Sequence, residues 1–157
     1  WEKNLISTYK VLKSVAKDIN YEVFAFSSTT TTNSEIYSFK NIKYNFNDIY
    51  VSFSFFEGMP NFAFHVLFKG SALLLSNCWS HVEIYNLLLH FGLENRIHII
   101  SSDYRERKYI TKEIKILREK LKVEDLKDTK KKLLLLKNYL NKNYKNTINK
   151  ISQLIVN

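Results

Sequence analysis

Two short apolar runs, separated by a polar break that contains a glycine and a proline, constrain the fold of this chain more than any other feature. The runs cover residues 49–55 and 71–76, and both have the length and the apolar content that are typical of buried strands. The segment between them is long enough for a helix, which is the usual connection between parallel strands. The sequence therefore predicts a unit of strand, turn, helix and strand, with two buried parallel strands.

The break itself predicts where the helix begins and ends. Gly58 permits a sharp turn with close backbone approach, and Pro60 suits the first turn of a helix. Gly70 is expected to end the helix. Ligands of parallel sheets bind at the carboxyl ends of strands, where helix N-termini offer free N–H groups, so Glu57 is expected at a ligand-binding edge. The apolar face of the helix is expected to consist of Phe62, Phe64, Val66 and Leu67.

The rest of the first 118 residues predicts more helices and short strands of the same kind. A Rossmann-like α/β domain with a parallel sheet flanked by helices is therefore expected over residues 1–118. Ser102 or Asp103 is expected to cap the last of these helices. The other predicted elements are helices over residues 2–18, 81–91 and 106–117, strands over residues 21–27 and 96–101, and a weaker strand within residues 36–44, placed at 40–44.

Residues 119–157 form a lysine- and asparagine-rich tail that predicts a basic amphipathic helix or helices. Its apolar residues follow one another by threes and fours, which places them in one stripe. The stripe either packs on its own domain or on a symmetry mate, or it binds a partner surface. Its members are Leu133, Leu136, Leu140, Tyr144, Ile148, Ile151 and Ile155.

The net charge of +9 predicts attraction to polyanions such as nucleotide diphosphates, lipid diphosphates, anionic membranes or nucleic acid. No aromatic-interleaved recognition motif is present, so no specific nucleic acid partner is expected. Cys78 is the one cysteine, which excludes an internal disulfide framework and fits a reducing compartment. No apolar run reaches 18 residues, so we expect no transmembrane helix and a cytoplasmic protein.

Three potential metal ligands stand close together in the sequence, but their spacing does not predict a metal site. His65, Cys78 and His81 lack arrangements such as C-x-x-C or H-E-x-x-H. Each of the three side chains is instead expected to be hydrogen-bonded within the protein or exposed to solvent. We therefore expect neither a metal nor a cofactor.

The residues around the break resemble a known family. The run F-x-E-G-M-P-N, a helix, an apolar strand and then S-N-x-x-x-x-x-E-I is similar to the donor-binding half of the GT-B retaining glycosyltransferases of the group 1 type. Ser76-Asn77 falls on the S-D of that family, and Val82-Glu83-Ile84 falls on its P-E-I without a gap. The resemblance implies that residues 2–118 form half of a GT-B fold.

The resemblance also implies a set of site residues. Glu57 would accept hydrogen bonds from the hydroxyls of the donor sugar, beside the backbone N–H groups of Gly58, Met59 and Asn61. Lys3, in Glu2-Lys3-Asn4, matches the lysine that reaches the donor diphosphate in the family's E-K-G phrase. The positions that would face the nucleotide are His65, Trp79 and Glu83.

The chain departs from the family pattern at several of these positions. His65 stands where a second glutamate would hold a ribose through two oxygens, a geometry that an imidazole cannot copy. Trp79-Ser80 replaces a Gly-Gly pair, so the indole either fills the nucleotide space or stacks on a sugar or base. Only residues 45–47 stand where the family inserts a base-binding segment, and its first strand has no counterpart in the printed sequence.

The resemblance leads to two functional hypotheses. The first is the donor-binding half of an enzyme that transfers a hexose from a UDP- or GDP-sugar to a glycan, lipid or protein acceptor. This half requires an N-terminal domain or a partner protein, and it is predicted to transfer nothing alone. The alternative is a degenerate, non-catalytic binding or scaffold subunit of a glycosylation or glycoprotein-secretion complex. A third reading, from charge alone, is a peripheral membrane module carried by the basic tail.

Overall fold

The computed structural model of the protein describes residues 2–19, 25–27, 36–38, 45–53, 61–100 and 106–156, with side chains over residues 8–17, 45–53, 61–100 and 106–147. A short 3-10 helix, Glu94–Arg96, precedes the last strand. The strands are β1 (Ala25–Ser27), β2 (Ile36–Ser38), β3 (Ile49–Ser52), β4 (Ala72–Ser76) and β5 (Ile97–Ile100). The helices are α1 (Glu2–Ile19), α2 (Asn61–Phe68), α3 (Trp79–His90), α4 (Arg107–Lys122) and α5 (Leu126–Val156).

The strands form two parallel sheets. Strands β3, β4 and β5 pair in that order, with Ile49 opposite Ala72 and Leu73 opposite Ile97. Strands β1 and β2 pair with each other, and among the described residues no strand joins the two sheets. The predicted α/β architecture, a parallel sheet flanked by helices and followed by a helical tail, is therefore confirmed. Residues 21–24 of one predicted strand, and residues 40–44 where the weaker strand was placed, lie outside the described residues.

Helices cover both faces of the three-stranded sheet, and every residue of β4 is therefore buried. On one face, Leu73 and Leu75 pack with residues of α2, α3 and α5. On the other face, Ala72 and Leu74 pack with residues of α1 and α4. Alternation of side chains along β4 thus sends successive residues into two separate apolar clusters.

Glycines follow the ends of two helices, and the one at Gly70 was predicted to do so. Gly70 and Gly92 have φ angles of 98° and 63°, which side chains rarely adopt. At Gly70 there is no room for a side chain, since a Cβ atom would overlap the ring of Phe46. The chain therefore turns into β4 at a point where only glycine fits.

Two predicted helix starts were wrong. Helix α3 begins at Trp79, because Cys78 has an extended backbone and its carbonyl accepts the N–H of Val82 at 3.0 Å. Trp79-Ser80 is therefore the first turn of a helix rather than a loop. Helix α4 begins at Arg107 after an extended Glu106, so neither Ser102 nor Asp103 is its N-cap.

The predicted stripe of the tail has two different environments. Leu133 and Leu136 are buried in the cluster of α2 and α3, and Leu140 packs against it. Tyr144, in the same line, is 69% exposed. Over residues 126–147, where its side chains are described, the helix therefore packs on its own domain as far as Leu140. In the part of the chain that the structure describes, no helix combines the length and apolar character needed to cross a membrane.

Candidate functional site at the carboxyl edge of the sheet

The carboxyl ends of β3, β4 and β5 lie at one edge of the sheet because the strands are parallel. We call this the carboxyl edge. Asn61 opens α2 here, and Asn77 follows β4 directly before α3; both are exposed. The first turns of α2 and α3 lie at this edge, and the N-terminus of a helix favours negatively charged groups.

Trp79 is the most exposed large apolar side chain described, at 81%, and it stands in the first turn of α3. Its indole Nε1–H donates to Oε1 of Glu83 at 2.7 Å, one turn further along the helix. This hydrogen bond ties the ring to α3 while leaving its surface open. A planar group such as a base or a sugar ring could therefore stack on it.

Beneath this surface, His81 fastens the start of α3 to the end of β4. The imidazole is fully buried, and its Nδ1 lies 2.9 Å from the carbonyl oxygen of Ser76 and 3.3 Å from the hydroxyl of Ser76. Because a carbonyl only accepts, Nδ1 carries the proton and donates it. This histidine orients the edge rather than lining it. Within the described residues, no group of three or more His, Cys, Asp or Glu side chains could hold a metal ion.

The structure places some of the predicted site residues at the carboxyl edge and others elsewhere. Asn61 and Trp79 lie in the first turns of the two helices there, and Glu83 lies one turn further along α3, where it holds the indole of Trp79. His65 is exposed one turn further along α2, and its ring stacks on Phe62 with centroids 5.8 Å apart. It therefore lies away from the strand ends. Glu57, Gly58 and Met59 lie outside the described residues, and so does the side chain of Lys3, although its backbone belongs to α1.

The opposite, amino edge of the sheet holds a charged residue whose burial the sequence did not predict. Arg96 is fully buried, and its Nη1 donates to the carbonyl oxygen of Gly70 at 2.6 Å. Its Nη2 lies 2.7 Å from Oε2 of Glu124, and its guanidinium carbon lies 4.3 Å from the ring centroid of Phe46. An arginine next to an apolar strand is ordinarily expected to be exposed, so nothing in the sequence predicts the burial of Arg96.

The pKa values of this buried pair are shifted by desolvation. Burial raises the pKa of Glu124, and the nearby charge of Arg96 opposes this shift. Burial likewise lowers the pKa of Arg96 against the opposing charge of Glu124. Among the described residues, Nε of Arg96 has no hydrogen-bond partner. The pair therefore links β5 to the turn between α4 and α5 at the cost of burying two charges.

No family model matches the chain, and neither a curated protein nor a solved structure is significantly similar to it. Function is therefore inferred from the two edges, the strand pairing and the local motif. Of the two edges, the amino edge is closed by a satisfied structural contact with Gly70. The carboxyl edge presents exposed polar and aromatic groups beside two helix N-termini.

Proposed function

We propose that the chain is the donor-binding half of a glycosyltransferase similar to the GT-B retaining family. It would bind a UDP- or GDP-sugar at the carboxyl edge and require an N-terminal domain or a partner protein to complete the cleft. The donor is a substrate, and no cofactor is invoked. Alone, this half would bind but not transfer, because the acceptor would approach from the missing side.

The pairing of the strands is the observation that carries the proposal. A doubly wound dinucleotide-binding sheet has the strand order 3-2-1-4-5-6. Without strand 1, such a sheet leaves strands 2 and 3 paired with each other and strands 4, 5 and 6 paired in sequence. The described strands pair in this way, as β1 with β2 and as β3, β4 and β5 in order. The motif resemblance independently leaves the family's first strand without a counterpart in the printed sequence.

The distribution of helices supports the same topology. In a doubly wound fold, the helices of the first half cover one face of the sheet and those of the second half cover the other. Helix α1, which precedes β1, lies on one face, whereas α2 and α3, which connect β3, β4 and β5, cover the opposite face. Helix α4 follows the last strand, connects no two strands of the sheet, and packs on α1. Both α2 and α3 then begin at the carboxyl edge, where the ligands of such sheets bind.

The chemistry expected at this edge is recognition of a sugar diphosphate. The carboxylate of Glu57 would accept hydrogen bonds from sugar hydroxyls, and the N–H groups of Gly58, Met59 and Asn61 would lie beside it. Lys3 and the helix N-termini would neutralise the diphosphate. The net charge of +9 would raise the local concentration of such an anion.

A second candidate is a degenerate relative that retains the fold and uses the edge for binding another protein or glycan. Trp79 favours it, because the indole lies fixed and exposed where a glycine pair would let a nucleotide approach. The exposed His65, stacked on Phe62, also lacks the paired oxygens that would hold a ribose. The connection between the parallel strands β1 and β2 also departs from an ordinary doubly wound fold. Only residues 28–35 lie between these strands, fewer than the dozen or so residues of an ordinary crossover.

Calorimetric titration of UDP, GDP and their sugar conjugates into the protein tests the proposal. Glu57→Ala should weaken binding of the sugar conjugates more than binding of the free nucleotides. Glu94→Ala is the matched control, since it removes one exposed acid at the amino edge and should leave binding unchanged. Titration at low and moderate salt separates a shaped site from bulk attraction, which salt screens.

The outcomes distinguish the two candidates. Binding that persists in salt and weakens in Glu57→Ala supports the donor half. Binding that is absent, or is lost in salt without regard to Glu57, contradicts the donor half. If Trp79→Gly then restores nucleotide binding, the indole has closed an old site, and the degenerate relative is favoured.

A further inference from the structure

Helix α5 has an inner face that packs on the domain and an outer face that does not. Thr129, Leu133 and Leu136 lie on the inner face and are buried. The outer face is defined here by six exposed residues, which recur at helical spacing on the opposite side. They are Lys127, Lys131, Leu134, Leu135, Lys142 and Lys145.

The outer face exposes apolar surface that a solvated helix does not need. Leu134 and Leu135 are 57% and 51% exposed, and Tyr139 beside them is 46% exposed. Eight large apolar side chains are exposed in the described part of the chain, and five of them are in α5, including the three on or beside its outer face. Exposed apolar surface is thus concentrated on one element, which marks an interaction surface.

The charge of the protein is concentrated on the same helix. Residues 126–156 contain eight lysines and one acid, Asp128, and so carry +7 of the net +9. No aspartate or glutamate follows Asp128 in the sequence. Every described side chain over residues 141–147 is exposed, while the helix continues to Val156. Residues 141–147, about 10 Å of helix, therefore lie past the part of α5 that packs on the domain.

We propose that the outer face of α5 docks on the surface of an anionic phospholipid membrane. Lysines beside exposed leucines on one helix suit an interface in which the leucines enter the acyl boundary and the ammonium groups meet lipid phosphates. The helix lies along the membrane and does not cross it. This inference does not depend on the proposed glycosyltransferase function.

Charge and apolar surface together favour a membrane over other partners. A second copy would place lysines against lysines, with no acid after Asp128 to pair with them. Nucleic acid would satisfy the lysines but would leave Leu134 and Leu135 exposed. A protein groove would require one continuous apolar seam, whereas lysines interrupt the leucines of the outer face.

Co-sedimentation with vesicles of phosphatidylcholine, with or without roughly one third phosphatidylserine, tests this proposal. Binding should require phosphatidylserine and weaken as salt rises. Lys142→Gln with Lys145→Gln should weaken binding on the order of 30-fold, which corresponds to about 1 kcal/mol for each lysine. Lys112→Gln with Lys115→Gln removes the same charge from exposed positions on α4 and should have a much smaller effect.

A matched pair of leucine variants tests the apolar contribution to vesicle binding. Leu135→Ser on α5 should weaken binding several-fold, whereas Leu89→Ser on α3 should not, although both leucines are 51% exposed. Circular dichroism checks that each variant keeps its helices.

The absence of binding to phosphatidylserine vesicles would overturn the proposal, as would equal binding to phosphatidylcholine. If the lysine substitutions weakened vesicle binding and Leu135→Ser did not, the helix would attract polyanions in general, and the proposed docking through its leucines would be contradicted. A dimer in light scattering that Leu135→Ser dissociates would assign the face to a second copy.

Discussion

At the scale of single residues, the guanidinium of Arg96 joins three separate parts of the chain. It donates to Gly70 before β4, contacts Glu124 after α4, and stacks over Phe46 before β3. The pKa of Glu124 is raised and that of Arg96 is lowered, so the desolvation of each charge outweighs the attraction of its partner. The pair therefore specifies how these segments meet more than it stabilises the fold.

Removing one member of the pair should cost more than removing both. Arg96→Met leaves the carboxylate of Glu124 buried without a counterion, so the free energy of unfolding at neutral pH should fall by about 3–5 kcal/mol. The double variant Arg96→Met, Glu124→Leu should recover most of this loss. Urea unfolding measures both.

The exposed ion pair of Lys122 with Glu119 supplies the control. These side chains are 63% and 68% exposed at a distance of 2.6 Å, so Lys122→Met should change stability by less than about 1 kcal/mol. If the double variant were as unstable as Arg96→Met, the pair would be a net source of stability, contrary to this interpretation.

The raised pKa of Glu124 also predicts a pH dependence. At pH values between the ordinary pKa of 4.5 and the raised pKa of the folded state, Glu124 is protonated in the folded protein and ionised in the unfolded protein. The contribution of Glu124 is therefore fully present below pH 4.5 and is lost as pH rises through the folded-state pKa. The stability of the wild type minus that of the double variant should accordingly decrease with rising pH, as measured by urea unfolding at a series of pH values. A difference that increases with pH would contradict this prediction.

At the scale of elements, α5 belongs to the folded core as well as to the surface. Leu136 is fully buried with residues of α2 and α3, although it is remote from them in the sequence. Leu136→Ala should therefore lower the free energy of unfolding by about 2–5 kcal/mol, through lost burial and a residual cavity. Leu134→Ala, two residues away and 57% exposed, should change stability by less than about 0.5 kcal/mol. Equal effects of the two substitutions in urea unfolding would show that α5 does not pack as described.

Periodicity predicted the elements well where burial alone determines them. Strand β4 and the end of α2 at Gly70 could be predicted, because an apolar run and a glycine carry their own physical reasons. The start of α3 could not, since Trp79 is a poor helix signal and the extended backbone of Cys78 decides the boundary. The burial of Arg96 was also missed, because it depends on Gly70 and Glu124, which are distant in sequence.

At the scale of the whole molecule, the three-stranded sheet has two edges with different surroundings. The amino edge is closed by Arg96 and by the tight turn at Gly70. The carboxyl edge presents Asn61, Asn77 and the open face of Trp79 beside two helix N-termini. The sequence predicted this edge from the Glu57 motif and parallel strands, but it could not predict how Trp79 would lie, because that depends on its hydrogen bond to Glu83.

The most direct test of the proposed donor site is a ¹H–¹⁵N spectrum recorded during titration with UDP- and GDP-sugars. The chain has two tryptophans, so Trp79→Phe assigns the indole signal of Trp79. Binding at the carboxyl edge should shift the Nε1–H of Trp79 and the backbone N–H of Asn77, and leave Gly92, before β5 at the amino edge, unchanged. Shifts centred on Gly92, or no shift at any donor concentration, would contradict a donor site at the carboxyl edge.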